Sequence, residues 1–161
     1  MLNLALNPYT NFFTDDREIK KSQNDLKPSY TIETLQSLAI EKKEDQAFCF
    51  LMGSDAFLKL ESWHLWNELF KYCHILIMER RESPILADQL TSALKKEWGE
   101  RLTQNVEDLR RSSHGLIMAK QFEYIDISSS QIREAIYSNK NLLNFLPAAV
   151  ADYINLHKLY R

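Results

Sequence analysis

Hydroxyl groups and a guanidinium are brought together at one point of the chain, Asp126-Ile127-Ser128-Ser129-Ser130-Gln131-Ile132-Arg133. The stretch reads as a strand running into a serine-rich turn that opens a helix, a geometry suited to anions. The first N–H groups of a helix have no partner within it, and the helix dipole places about half a positive charge there. Arg133 on the first turn adds a forked cation suited to phosphate. Ser128 with Gln131 three residues on is also a capping box that any helix can carry, so cap and phosphate site are both open readings of the same residues.

The elements that must position this turn follow from the apolar pattern. Residues 1–6 read as the tail of an apolar helix, and Phe12-Phe13 as a short strand entering a polar loop that ends at Pro28. Ser29-Tyr30-Thr31 precede Ile32, Leu35, Leu38 and Ala39 at helical spacing, so one of these hydroxyl residues should cap a helix ending near Lys43. Residues 47–52 form a short continuous apolar run ended by Gly53, as expected of a parallel strand covered on both faces. The apolar run 74–78 follows an amphipathic stretch carrying Leu60, Trp63, Leu65, Trp66, Leu69 and Phe70, which makes a βαβ unit. A helix is expected within 84–101, strands at Leu116–Met118 and Tyr124–Ile127, a helix from Gln131, and a last helix started by Pro147.

The pattern predicts an α/β protein: a mostly parallel sheet with helices on both faces, in one domain spanning residues 1–161. In such sheets ligands bind beyond the carboxyl ends of the strands. Gly53-Ser54-Asp55 and Ser128-Ser129-Ser130 both stand at predicted strand ends and should line the same edge of the sheet.

Composition narrows the function. A 161-residue chain that is 45% hydrophobic and 26% charged has enough apolar surface for a core. Its net charge of −2, with both signs interspersed, gives no general attraction to nucleic acid or an anionic membrane. No apolar run spans a bilayer and the first residues lack the features of a signal peptide, so the expected location is the cytoplasm. Cys49 and Cys73 lie in apolar runs without metal-ligand spacing and are expected to be reduced core residues. With only three glycines, Gly53, Gly99 and Gly115, neither a Walker loop nor a G-x-G-x-x-G turn can be built.

Several pieces, taken in order, resemble bacterial nicotinate-nucleotide adenylyltransferases: Pro28-Ser29-Tyr30-Thr31-Ile32-Glu33-Thr34-Leu35, Met52-Gly53-Ser54-Asp55-Ala56, Trp63, Arg80, Ile127 through Arg133, and Tyr153-Ile154 with Leu159-Tyr160-Arg161. The resemblance runs the length of the chain and implies a Rossmann-like nucleotidyltransferase fold. It also implies transfer of the adenylyl group of ATP to nicotinate mononucleotide, forming the dinucleotide precursor of NAD and releasing pyrophosphate. ATP is then a substrate, and magnesium assists without dedicated protein ligands.

Carried over, the resemblance has Trp63 stacking on the pyridine ring while backbone groups around Thr31 and His64, beside Tyr30, meet the nicotinate carboxylate. Gly53 and Asp55 contact ribose, Arg80 lies at the same edge, and Ser128, Ser129, Ser130 and Arg133 hold phosphates, with Arg133 a candidate contact in the transition state. An indole face suits a flat, electron-poor ring, and a carboxylate suits a sugar diol. Each has a plainer alternative: Trp63 and Trp66 as core residues, Asp55 as a helix cap, Tyr30-Thr31 as a helix start.

The resemblance further implies a G-G-T-F-D-P turn followed by H-x-G-H, whose histidines stabilise the triphosphate. Within residues 1–161 none of His64, His74, His114 and His157 is paired at that spacing, and Met1 matches a point in the family's second helix. The strands of that segment are therefore expected to be missing, leaving catalytic residues unassigned. A non-catalytic nucleotide-binding or assembly module is the competing function, and homo-oligomerisation is compatible with either. A third reading changes the acceptor to a pantetheine phosphate, against which Trp63 after Asp55 argues.

Overall fold

The computed structural model describes residues 1–24, 28–43, 46–80, 84–122 and 127–160. The chain divides into two compact units, Arg17–Tyr124 and a second made of Met1–Asp16 with Ile125–Arg161.

The larger unit is built on three parallel strands in the order β1 (Cys49–Gly53), β2 (His74–Arg80), β3 (Ile117–Phe122). Phe50, Ile75 and Ile117 stand in register, as do Met52, Ile77 and Ala119. Because side chains alternate along a strand, these six share one face. That face enters the core with Phe57, Leu60, Leu69, Phe70 and Leu94. The opposite face is more open: Cys49 is exposed, Leu51 is 50% exposed and Met78 38%. The expectation that β1 is covered on both faces is therefore corrected, as is the placing of Cys49 in the core. Cys73 is fully buried, its thiol donates to the Leu69 carbonyl at 3.4 Å, and burial pushes its pKa up to about 12.

Around the sheet stand α2 (Arg17–Asn24), α3 (Thr31–Glu41), α4 (Ser54–Phe57), α5 (Ser92–Arg101) and α6 (Val106–Arg111), with α1 (Leu2–Leu6) in the smaller unit. Three expectations change. The segment before Pro28 holds α2, which is fixed by polar contacts rather than apolar periodicity: Arg17 donates to Ser37 at 3.0 Å and pairs with Glu41 at 3.1 Å, and Glu18 accepts from Thr34 at 2.6 Å. The stretch 60–71 is two 3₁₀ segments, Leu60–Ser62 and Trp66–Lys71, instead of one amphipathic helix. The helix expected within 84–101 starts only at Ser92, where the Thr91 hydroxyl accepts the Leu94 N–H at 3.3 Å.

The buried polar residue of this unit is His74, at the start of β2. Its Nδ1 accepts the Leu116 N–H at 3.1 Å and its Nε2 lies 2.9 Å from the Ser112 carbonyl, so the neutral imidazole with its proton on Nε2 satisfies both. Beside it Gly115, at φ +93°, sends its carbonyl to Arg101 at 3.0 Å. A side chain there is disfavoured by this backbone conformation.

In the smaller unit, α7 (Ser129–Tyr137) and α8 (Ala148–Leu156) pack through Ala135, Ile136, Leu142, Val150, Ala151 and Ile154, with Ala5 of α1 against the cluster. Pro147 takes the N-cap position of α8, and Tyr153 lies against His157 with ring centroids 4.2 Å apart. Phe12 and Phe13 form no strand and are exposed; the Phe12 N–H donates instead to the Tyr9 carbonyl at 3.4 Å, a local turn. The strand expected at 124–127 falls mostly on residues outside those described.

Replacing His74 by Leu keeps the volume roughly but leaves the Leu116 N–H and the Ser112 carbonyl without their partner. Urea unfolding should show a loss of about 2–4 kcal/mol with the denaturant slope unchanged. Unchanged stability would mean that the 112–116 loop finds other partners.

Candidate nucleotide-binding site

In the larger unit the residues singled out from the sequence gather at the carboxyl ends of the strands. Gly53 closes β1 opposite Met78, and Arg80 lies two residues farther along β2, opposite Phe122. The Ser54 hydroxyl donates to the Met78 carbonyl at 3.3 Å and ties the two strand ends together. Gly53 has an ordinary φ of −78°, so its need is space: a Cβ there would stand 2.7 Å from Asp55 Oδ1. The Asp55 carboxylate folds back over the glycine, is exposed, and has no hydrogen-bond partner among the described residues. The reading of Asp55 as a helix cap is not what the structure holds, since Gly53 is the N-cap of α4.

A second group forms around the start of α3. Tyr30 is the N-cap with extended backbone, and no hydroxyl caps the helix. Glu33 reaches back instead, its carboxylate accepting the Tyr30 N–H at 3.4 Å while also accepting from Lys21 on α2. That carboxyl is held below its ordinary range, first by the Lys21 hydrogen bond, with the Tyr30 N–H and His64 adding and desolvation opposing. Among the described residues, the N–H groups of Thr31 and Ile32 have no partner, which leaves the positive end of α3 open.

The segment carrying Trp63 and His64 lies against this helix start. The His64 ring stacks on Tyr30 with centroids 4.3 Å apart at 34°. Trp63 is half-buried and meets Phe50 edge-on, 6.0 Å away at 79°. Leu65 next to them has φ +50°, a conformation that costs a leucine on the order of 1–3 kcal/mol. That reversal ends the helical path that the apolar spacing suggested and turns Trp63 and His64 off the 3₁₀ segments. Trp66 meets Phe70 edge-on in the same way, and both tryptophans are partly buried against the core.

In the smaller unit Ser128 caps α7, its hydroxyl accepting the Gln131 N–H at 3.2 Å while Gln131 accepts the Ser128 N–H at 2.6 Å. The cap uses both groups of Ser128 and leaves the N–H groups of Ser129 and Ser130 open among the described residues. Arg133 donates to Ser130 Oγ at 3.2 Å, and all three side chains are exposed. Cap and anion site thus coexist on one helix start, on different residues. Among the described residues no group of three His, Cys, Asp or Glu side chains stands together to hold a metal ion.

Sequence reasoning did not single out Lys21, Glu33, Phe50 or Leu65. Glu33 had a readable sign, a carboxylate three residues after the cap. The other three depend on contacts or backbone geometry with no local signature.

Comparison with known proteins finds relatives along the whole chain. The cytidylyltransferase-like family matches residues 1–135. A protein of Pectobacterium atrosepticum named as a probable nicotinate-nucleotide adenylyltransferase is 35% identical over 162 residues, covering 100% of this chain and 73% of its own length. One of the same name from Pseudoalteromonas atlantica is 37% identical, covering 100% and 70%. Among solved structures, Plasmodium falciparum nicotinic acid mononucleotide adenylyltransferase, complexed with APC or with NaAD, superimposes with a TM-score of 0.53 at 18% identity. That match covers 83% of this chain and 58–59% of the solved chains, so this chain spans less than two thirds of their length, and it speaks for the fold. From the curated relatives, matched end to end, it follows that this chain belongs to the nicotinate-nucleotide adenylyltransferase family.

Proposed function

We propose that the chain serves adenylyl transfer from ATP to nicotinate mononucleotide, yielding nicotinate adenine dinucleotide and pyrophosphate on the route to NAD. The observation that carries this reading is the stacking of His64, which follows Trp63 in the chain, on Tyr30 at the open start of α3. An indole in the segment that meets helix N–H groups unpaired among the described residues suits a flat aromatic ring bearing a carboxylate. Asp55, over Gly53 and without a hydrogen-bond partner among the described residues, accepts hydrogen bonds from a ribose diol, and Arg80 at the end of β2 serves the same nucleotide. Ser129, Ser130 and Arg133 at the start of α7 hold phosphates, with Ser128 fixing the turn.

In the transfer a phosphate oxygen of the mononucleotide attacks the α-phosphorus of ATP as pyrophosphate departs. Little covalent help is needed, since the barrier falls by alignment and by neutralising charge on the phosphates. Arg133 and the α7 N–H groups supply such neutralisation. Magnesium, in this proposal, arrives on the phosphates of ATP. The two units act together as one nucleotidyltransferase domain, a reading supported by a family match that runs from residue 1 to 135. No helix of the described residues is long and apolar enough to cross a membrane, and the proposed location is the cytoplasm.

A second reading, a nucleotide-binding module without turnover, is favoured by one observation. His74 is committed to backbone groups of the 112–116 loop, and the other three histidines stand singly in the sequence. Pyrophosphate release by this chain alone separates the two: turnover excludes the module, while binding without turnover supports it.

Nicotinate mononucleotide should quench tryptophan fluorescence in the wild-type protein and leave the signal of a Trp63→Phe protein unchanged. Equal quenching in that variant, which keeps Trp66 and Trp98, counts against ring stacking at Trp63. Arg133→Met should weaken ATP binding by about 1.5–3 kcal/mol, roughly 10- to 150-fold, measured by calorimetric titration with the circular dichroism spectrum unchanged. Undiminished ATP affinity would remove Arg133 from the phosphate site.

A further inference from the structure

The open start of α3 carries a built-in conflict. Its Thr31 and Ile32 N–H groups, unpaired among the described residues, favour an anion, yet the Glu33 carboxylate is folded back to the Tyr30 N–H, over the same first turn. Alone, that carboxylate repels a ligand carboxylate arriving there. Lys21 answers it. The ammonium of Lys21 reaches across from α2 and donates directly to Glu33. Other contacts hold α2 in place independently: Arg17 with Ser37 and Glu41, and Glu18 with Thr34. Lys21 is thus not required to dock its helix, and its contact with Glu33 is left with an electrostatic task.

The same carboxylate also feels His64, which is stacked on Tyr30. Lys21, Glu33, Tyr30 and His64 therefore surround one point, the N-terminus of α3, with a cation, an anion, a ring and an imidazole.

We propose that Lys21 is a positioning residue for the pyridine-nucleotide site, cancelling the Glu33 charge so that α3 prefers a mononucleotide bearing a carboxylate over its neutral amide. The inference rests on the proposed function. It extends it by placing part of the acid-over-amide preference on a residue of a neighbouring helix, outside the ligand's direct contacts. Glu33 remains as the cap of α3, and Lys21 lets it do so without opposing the ligand. A cation of the same reach, such as arginine, serves equally, whereas an isosteric apolar chain leaves the anion uncompensated.

Calorimetric titration of the full chain with nicotinate mononucleotide and with nicotinamide mononucleotide tests this. Lys21→Met should weaken binding of the acid form about threefold, the scale of a partly exposed charge pair, and leave the amide form unchanged. Lys21→Arg should keep the wild-type ratio. Glu33→Gln, which retains a capping side chain, should tighten the acid form, and the Lys21→Met/Glu33→Gln double variant should recover at least wild-type affinity. That recovery separates a charge effect from a folding defect. An unchanged acid-to-amide ratio in Lys21→Met overturns the assignment to Lys21 while the proposed function stands. Wild-type protein that binds neither mononucleotide overturns the proposed function, and this inference with it.

Discussion

Parallel pairing of β2 with a strand on either side constrains the larger unit more than any other feature. Parallel neighbours cannot be joined by a tight hairpin, so each connection must return across the sheet, and the residues following every strand emerge at one edge. Gly53 at the end of β1 and Arg80 at the end of β2 are brought to one edge in this way. The amino end of the sheet is fixed just as firmly by the buried His74, which fastens the start of β2 to the loop leading into β3. One edge is therefore rigidly anchored and the other is free to vary in its loops, the usual division between scaffold and site.

At the variable edge the chemistry is set by small local choices. A glycine gives the Asp55 carboxylate room, and a left-handed leucine follows the Trp63-His64 pair, of which His64 stacks at a helix start. The core residue Phe50 supports the indole from the strand beneath. Strain at Leu65 is tolerated because the flanking 3₁₀ segments bury Leu60, Leu69 and Phe70 and hold the turn between them. None of these residues needs to be a strong acid or base. Each aligns a partner or leaves a charge unopposed, which is the kind of help adenylyl transfer calls for.

The sequence by itself determined the elements whose signal is local. Continuous apolar runs bounded by charge and glycine marked β1 and β2, and the capping box at Ser128 with Gln131 marked the start of α7, because period and cap chemistry are properties of neighbouring residues. The ordered motifs around Tyr30, Gly53, Trp63 and Ser128 also pointed to the family, which the relatives bear out. Tertiary structure decided what depends on residues far apart in the chain. Helix α2 is polar apart from an exposed Ile19 and is held by partners on α3, and the stretch around Trp63 has helical spacing but is broken by a backbone reversal at Leu65. Exposure of Cys49 and Leu51 depends on which face of the sheet is packed, and the neutralising of Glu33 depends on a lysine twelve positions away. Periodicity records how apolar a residue is and where it recurs. It cannot record which distant group will lie beside it, and that juxtaposition fixed the electrostatics of the site.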